Sequence, residues 1–259
     1  MEFKIDDDYF LKRLIEVMET YPFPDTKIPL CLDVGANVGA FSLVFSYYCD
    51  KVISLEPFKE NYDYMVSMID KHSIDNIIPI NKAIYPSDGE MVEMSVVKEN
   101  TDSKDITCVE KKPGMVSLGS VETISLESII KEYGEIDYMK VDCEGCEYDL
   151  LYNTDLSKIK SIVTEVHGGF IGRDNKVKLI QYLNEEYDVT YEYHQEYSPN
   201  DFEPTEFVFR RKNTTNYENN IFIRFATHNP NVLATSPEFP NRFSNFVNTC
   251  SLFVKQPNS

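Results

Sequence analysis

The sequence is short of cationic residues. It has 25 Lys and Arg against 43 Asp and Glu, which gives a formal net charge of −18. A field of this sign repels nucleic-acid phosphates and anionic membrane surfaces, but it does not oppose a cationic ligand. We therefore expect the chain not to be a nucleic-acid enzyme, unless a local basic patch overrides the average.

Long apolar runs are also lacking. No window of about 18 continuous apolar residues is present, so a membrane span is not expected. Residues 1–8 are acidic and polar, without the basic region and apolar run of a signal peptide. We accordingly interpret the six cysteines as mostly reduced thiols of a cytoplasmic protein.

Three common ligand motifs are missing. The first glycine-rich turn has neither the G-x-G-x-x-G spacing of a dinucleotide site nor the Gly-Lys-Ser/Thr of a P-loop, which argues against a pyrophosphate ligand. The pair Cys143-x-x-Cys146 lacks the second C-x-x-C that a zinc site would need. We expect Cys143 to pack against a sheet and Cys146 to lie on a helix, with no functional thiol pair.

What the sequence does contain is an alternation of strand and helix patterns. Such alternation predicts an α/β fold with a parallel sheet covered by helices. The predicted strands cover residues 29–34, 52–55, 77–80, 91–97, 121–126, 136–141, 159–166, 189–194 and 206–210, of which the last two form a terminal antiparallel pair. The predicted helices cover residues 9–19, 38–48, 58–71, 146–152 and 177–183.

The pattern also predicts a three-part organisation. We expect an N-terminal helical extension over residues 1–27, a main domain over residues 28–212 and a C-terminal extension over residues 213–259. Within the main domain the rhythm breaks at about residues 85–120, where residues 98–119 are polar and loop-like. Loops of this length are usually functional or disordered, so we place the insertion on the ligand side of the domain.

The clearest functional signal is the glycine loop Leu32-Asp-Val-Gly-Ala-Asn-Val-Gly39, at a strand-to-helix junction. Gly35 and Gly39 allow a sharp turn and a close backbone approach to a ligand. Asp33 can meet a ligand ammonium, while the amides that follow can meet a carboxylate. The loop therefore suits a nucleoside with an amino-acid tail; the alternative is a tight turn whose glycines serve packing.

Acidic residues end three further strands. Glu56, followed by Pro57, stands roughly 20 residues beyond the glycine turn, where a carboxylate can accept from both ribose hydroxyls. Asp142 and the pair Glu165 and His167 end the later strands. Ligands of open α/β sheets bind beyond the carboxyl ends of the strands. The candidate general bases are therefore Asp142, His167 and Glu165, in that order, with a structural histidine as the alternative for His167.

Together these segments resemble FkbM-family methyltransferases. The resemblance rests on Asp33-Val-Gly-Ala-Asn-Val-Gly-Ala-Phe-Ser42, Leu55-Glu-Pro57, Lys140-Val-Asp-Cys-Glu-Gly-Cys-Glu147 and Glu165-Val-His167. It implies the Rossmann-like class I methyltransferase fold, with a seven-stranded, mostly parallel sheet, helices on both faces and a terminal antiparallel pair. It also implies S-adenosylmethionine as cofactor, and O-methylation of a sugar or another small hydroxylated metabolite. Cys143 and Cys146 depart from the family pattern.

The resemblance also implies a set of binding residues. Those expected at the cofactor are Asp33, Gly35, Ala36, Asn37, Gly39, Phe41, Glu56, Pro57, Asn81, Ala83 and Asp142. By analogy with sugar O-methyltransferases outside the family, Asp142, Glu165 and His167 could instead ligate a divalent metal such as magnesium. A methyltransferase of RNA or protein, and a non-catalytic scaffold that keeps the fold, stay open as alternatives.

Overall fold

Strands and helices alternate along the chain as the sequence pattern predicts. The structure is a computed structural model that describes residues 7–24, 26–97, 106–108, 113–152, 154–193 and 205–212. The helices are α1 (Asp7–Thr20), α2 (Ala40–Phe45), α3 (Lys59–Lys71), α4 (Leu126–Tyr133), α5 (Glu147–Tyr152), α6 (Gly168–Ile171) and α7 (Arg173–Glu186). The strands are β1 (Ile28–Val34), β2 (Cys49–Leu55), β3 (Ile77–Ile80), β4 (Ala83–Ile84), β5 (Met91–Val97), β6 (Met115–Ile124), β7 (Tyr138–Val141), β8 (Ser161–Val166), β9 (Tyr187–Tyr193) and β10 (Thr205–Arg211). The predicted C-terminal extension lies outside the described residues.

The main sheet has seven strands in the order β3-β2-β1-β7-β8-β10-β9. Every neighbouring pair from β3 to β8 is parallel, whereas β10 runs antiparallel to both β8 and β9. The chain runs outward from β1 through β2 and β3, then returns to the other side of β1 with β7. The strand order therefore reverses between β1 and β7, which is where open α/β sheets bind ligands. The predicted Rossmann-like sheet with its terminal antiparallel pair is confirmed.

Helices cover both faces of this sheet. Successive strand residues point to opposite faces, and the buried side chains accordingly form one cluster with α1, α2 and α3 and another with α4, α5 and α7. Each fully buried Leu, Ile or Phe stabilises the fold by about 1.5–3 kcal/mol. Within the described part of the chain, no helix is long and apolar enough to cross a membrane.

The N-terminal helix packs against the glycine loop side of the sheet. Phe10, Leu14 and Val17 recur at helical spacing and are buried in the cluster that α1 shares with α2 and α3. The Tyr9 hydroxyl donates to Asn37 Oδ1 at 3.3 Å. The predicted N-terminal extension therefore borders the candidate cofactor loop.

Between β3 and α4 the chain forms a second, three-stranded sheet in the order β4-β6-β5. The prediction of a loop over residues 98–119 is wrong for residues 115–119, which form the first half of β6. No residue in this half of β6 is fully buried, and Gly119 pairs with Met94 beside a register shift in β5. It therefore lacks the apolar alternation that marks a half-buried strand. Residues 98–105 and 109–112 lie outside the described residues.

Candidate active site

Asp33 lies in a row of polar side chains across three strands. The register pairs it with Ser54 of β2 and with Lys140 of β7. Ser42 of α2 covers this row: its hydroxyl donates to Asp33 Oδ2 at 2.6 Å and is hydrogen-bonded to the Ser54 hydroxyl at 2.6 Å. Lys140 Nζ is 3.2 Å from Asp33 Oδ1. The ammonium group that Asp33 meets here is thus the protein's own.

Lys140 connects this row to the glycine loop and to the end of β7. Its side chain is 5% exposed, and its Nζ donates to the Gly35 carbonyl at 2.7 Å and lies 3.6 Å from Asp142 Oδ2. Burial opposes the charge on Lys140, but Asp33 and Asp142 outweigh that effect and raise its pKa. Burial also opposes the charge on Asp33 and raises its pKa, although Lys140 and Ser42 favour the charged carboxylate. A buried cation therefore stands between two candidate cofactor carboxylates.

The glycine loop packs directly on the backbone that follows β7. Gly35 has φ 76°, and a Cβ at this position would lie 1.9 Å from the Asp142 carbonyl oxygen. The Asp142 amide in turn donates to the Val34 carbonyl at 3.1 Å. The close approach that requires glycine at position 35 is therefore an approach to the protein's own backbone. Asn37, with φ 52°, and Gly39, with φ 82°, are the other two left-handed residues of the loop.

The amides of the glycine loop have acceptors within the protein. Those of residues 35–38 donate to the Leu55 carbonyl, to Glu56 Oε2 and to Asn37 Oδ1, at 2.7–3.1 Å. The expectation that these amides receive a ligand carboxylate is therefore not met by residues 35–38. They instead tie the loop to the end of β2.

Glu56 is a buried carboxylate at the end of β2. It is 5% exposed and accepts from the amides of Asn37 and Phe58 at 2.7 and 2.9 Å. Burial raises its pKa to about 7, although these two amides oppose the rise. Asn81 Nδ2 donates to the carbonyls of Glu56 and Pro57 at 2.8 and 2.9 Å and fixes this turn.

Three of the expected cofactor residues lie in the core, and one of them is Ala36 of the glycine loop, which is 3% exposed. Phe41 is buried and stacks on Phe45 with ring centroids 4.0 Å apart. Ala83 begins β4 and is buried beside Phe58 in the cluster of the second sheet. Their contact with a cofactor stays a prediction.

Asp142, Glu165 and His167 come together beyond the ends of β7 and β8. One ligand atom from each lies within 4.8 Å of the others. His167 Nε2 is 3.9 Å from Asp142 Oδ1 and 3.8 Å from Glu165 Oε1. The two carboxylates are 27% and 26% exposed, whereas His167 is 8% exposed. The catalytic residues predicted from the sequence therefore form one cluster whose carboxylates reach the surface. We call Asp142, Glu165 and His167 the acidic cluster.

His167 has a carboxylate at each ring nitrogen. Glu147 Oε1 lies 2.6 Å from Nδ1, and Glu144 Oε2 lies 3.3 Å from Nε2. Burial lowers the pKa of His167, but these carboxylates outweigh it and raise the pKa to about 10. A protonated imidazole has no lone pair with which to accept a proton. The pKa of Glu165, by contrast, is raised to about 7, by burial first and by Asp142 second.

Several site residues had no predicted role. These are Ser42, Ser54, Lys140 and Glu147. A sequence signal existed for Lys140, because a lysine two positions before a candidate carboxylate in an apolar strand must share a face with it. No local pattern marks the other three.

Cys143 and Cys146 form a disulfide, with Cα atoms 5.6 Å apart. The expectation of reduced thiols is not met at these two positions, where positive φ at Glu144 and Gly145 closes the turn between them. Cys146 immediately precedes α5, and both cysteines pack partly buried against the core, as expected. The other three cysteines of the described residues are free.

A family model described as "Methyltransferase FkbM domain" matches residues 33–197. The chain belongs to the FkbM methyltransferase family. The matched segment contains the glycine loop, Glu56, Lys140 and the acidic cluster, so the resemblance seen in the sequence is confirmed. The chain is accordingly an S-adenosylmethionine-dependent methyltransferase.

Solved structures of similar fold are distant in sequence. TrmK of M. capricolum with S-adenosyl-homocysteine is 12% identical, with a TM-score of 0.45 over 77% of this chain and 68% of that one. SMU.1697c of Streptococcus mutans with the same ligand is 10% identical, with a TM-score of 0.47 over 78% and 97%. An rRNA methylase of Streptococcus thermophilus is 8% identical, with a TM-score of 0.44 over 82% and 99%. No curated protein sequence matches the chain.

Proposed function

We propose that this methyltransferase acts on a hydroxyl of a sugar, a glycan or another small hydroxylated metabolite. The observation that carries the proposal is the position of Asp142, which lies 3.6 Å from Lys140 Nζ and 3.9 Å from His167 Nε2. It thus joins the candidate cofactor residues to the acidic cluster. When bound, S-adenosylmethionine supplies a methyl group on a sulfonium, and the acceptor hydroxyl must lose its proton as the new bond forms.

The residues at the strand ends fit this cofactor. The buried carboxylate of Glu56 accepts hydrogen bonds from two backbone amides. It has further lone pairs that can accept from the ribose hydroxyls. Asp33 is fully buried and paired with Lys140 Nζ at 3.2 Å, so it stabilises the loop that the cofactor would contact. The carboxylates at this edge outnumber the cations, which suits a ligand that carries a sulfonium and an ammonium.

We propose that Glu165 is the general base that accepts the proton of the acceptor hydroxyl. Asp142 is already paired with Lys140, whereas the cation nearest to Glu165 in the acidic cluster is His167, at 3.8 Å. Asp142 then orients the hydroxyl, and His167 positions both carboxylates. A general base of this kind contributes about 10²- to 10⁴-fold to the rate, and orientation of the two reactants contributes more.

A divalent metal such as magnesium stays a separate prediction for the same cluster. Asp142, Glu165 and His167 offer two oxygen ligands and one nitrogen ligand within 4.8 Å of one another. Glu147, behind the imidazole at 2.6 Å, has the position of a group that orients a ligating histidine. Such an ion would acidify the hydroxyl in place of a general base.

The acceptor class is tested with radiolabelled cofactor and a panel of sugars, glycans, small hydroxylated metabolites, RNA and polypeptides. We expect label in a hydroxylated small molecule or glycan; label in RNA or polypeptide alone would reject this acceptor class. Cofactor binding without turnover on the whole panel would favour a non-catalytic scaffold. A cytoplasmic location stays a prediction, which fractionation of the source cells tests.

The roles of Glu165 and of a metal are tested with the methyl acceptor that this panel identifies. Glu165→Gln should lower kcat by about 10²- to 10⁴-fold with an unchanged cofactor Kd, whereas the exposed Glu135→Gln should leave both unchanged. Loss of wild-type activity with a chelator, and its recovery with magnesium, would establish the metal. Unchanged activity would remove it.

A further inference from the structure

We propose that Cys143 and Cys146 are a reversible thiol–disulfide site, and that reduction of this disulfide by a dithiol lowers methyl transfer. The inference rests on the proposed function, because the turn that the disulfide closes joins Asp142 to the carboxylates around His167. It goes beyond that function, because methyl transfer itself requires no reduced form of Cys143 and Cys146.

The disulfide spans a strained turn. Between the two cysteines, Glu144 has φ 52° and Gly145 has φ 112°. A residue other than glycine is strained in this left-handed region. Such a conformation persists only where the surrounding structure enforces it. The cross-link between positions 143 and 146 supplies this constraint together with the hydrogen bond from the Thr107 hydroxyl to the Glu144 carbonyl, so loss of the cross-link should loosen the turn.

The same turn contacts or contains the two carboxylates nearest to the His167 ring nitrogens. Glu144 lies inside it and places Oε2 3.3 Å from His167 Nε2. The Gly145 amide donates at 3.1 Å to Glu147 Oε1, which is the oxygen 2.6 Å from His167 Nδ1. Relaxation of the turn therefore moves the groups that position His167, and with it Glu165, which is 3.8 Å from Nε2.

Cys143 and Cys146 form the only disulfide among the described cysteines, and both are partly exposed. Cys31 and Cys49, on the neighbouring strands β1 and β2, are fully buried and free, and Cys108 is a partly exposed free thiol whose pKa is raised by burial to about 12. Burial raises the pKa of the Cys31 thiol well above its ordinary value, which disfavours the reactive thiolate. Exchange should therefore be confined to Cys143 and Cys146.

The exchange is chemically balanced. A thiolate of the dithiol attacks one sulfur of the Cys143–Cys146 bond, forms a mixed disulfide and releases the other sulfur as a thiolate. The second thiol of the reductant then attacks the mixed disulfide. The protein gains two electrons and two protons, and the dithiol becomes a disulfide. An oxidised dithiol reverses both steps.

The site is tested first without any acceptor. The folded full-length chain is equilibrated in mixtures of reduced and oxidised dithiothreitol, alkylated, and analysed by peptide mass. We expect one two-electron transition in the peptide that contains Cys143 and Cys146, with Cys31 and Cys49 unlabelled. A peptide that is alkylated in every buffer, or one that is never reduced in the folded protein, would overturn the proposal.

The consequence for the site is tested by NMR and by turnover. Reduction of the wild type should shift the His167 ring signals and lower kcat by on the order of ten- to a hundredfold, with the cofactor Kd unchanged. Cys143→Ser/Cys146→Ser should have the low kcat in both buffers, whereas Cys250→Ser should respond like the wild type. A redox transition that leaves the His167 signals and kcat unchanged would refute the inference but not the proposed function. If no methyl acceptor is found, the alkylation and NMR results still decide whether the disulfide is reversible and whether it positions His167.

Discussion

At the residue scale, Lys140 is the cation on which the candidate cofactor carboxylates depend. Lys140→Met would leave Asp33 and Asp142 without their buried partner. Breaking a buried ion pair on one side costs about 3–5 kcal/mol. We therefore expect the free energy of unfolding, measured by urea denaturation, to fall by about that amount.

A double variant shows whether charge is the cause. Asp33→Asn combined with Lys140→Met removes both members of the pair, so it should be more stable than Lys140→Met alone. Lys158→Met, which removes an exposed partner of Glu135 at 3.1 Å, should leave the urea midpoint unchanged. Strictly additive losses in the double variant would show that packing, and not charge, explains the effect.

We expect Glu56 to make cofactor binding depend on pH. Its pKa of about 7 in the folded protein is above the ordinary 4.5, so Glu56 lowers the stability of the fold as the pH rises from about 4.5 to about 7. The groups around it are the amides of Asn37 and Phe58, the Asn61 side chain, Lys140 and the thiol of Cys108. Ribose hydroxyls would favour the ionised carboxylate, and binding should therefore release a proton.

The expected result is an S-adenosylmethionine Kd roughly tenfold weaker at pH 6 than at pH 8. Calorimetry in two buffers of different ionisation enthalpy would show the released proton. Glu56→Gln should bind weakly at both pH values and release none. A wild-type Kd that does not change between pH 6 and pH 8 would contradict this assignment.

At the scale of elements, the contact between the glycine loop and the end of β7 gives the next prediction. Gly35→Ala would place a methyl group 1.9 Å from the Asp142 carbonyl oxygen, so the loop and this strand end must separate. We expect loss of cofactor binding by calorimetry, together with a lower unfolding temperature. Gly89→Ala is the matched control, because Gly89 has a similar φ of 73° but no heavy atom within 4 Å of the added Cβ. Equal effects of the two substitutions would mean that backbone strain alone is responsible.

The elements that sequence could predict are those whose signal is local. Strands β1, β2 and β7 have Asp33, Glu56 and Asp142 at or just beyond their carboxyl ends, so the acidic edge of the sheet was predictable from apolar periodicity and from the residues that end it. The first half of β6 was not, because none of its residues is fully buried and Gly119 interrupts it. The pairing of Lys140 with Asp33 depends on the register between strands more than 100 residues apart, which no local pattern specifies.

At the scale of the whole molecule, charged side chains of alternating sign follow one another along the sheet edge, from the candidate cofactor residues to the candidate acceptor site. Asp33, Lys140, Asp142, His167 and Glu165 follow one another at separations of 3.2, 3.6, 3.9 and 3.8 Å. Each cation lies between two carboxylates, so removal of either cation would leave like charges facing each other. The two cations therefore stabilise an edge that the acidic chain as a whole would destabilise.

The net charge of −18 predicts how stability responds to salt. Repulsion among like charges destabilises a compact state, and the screening length falls from about 30 Å at 0.01 M to about 8 Å at 0.15 M ionic strength. The unfolding temperature should therefore rise over this range, and it should rise equally in NaCl and KCl because screening does not depend on the identity of the cation. A temperature that stays flat or falls would mean that favourable ion pairs, such as Lys140 with its carboxylates, outweigh the net repulsion. A rise in only one of the two salts would indicate specific binding of that cation instead of screening.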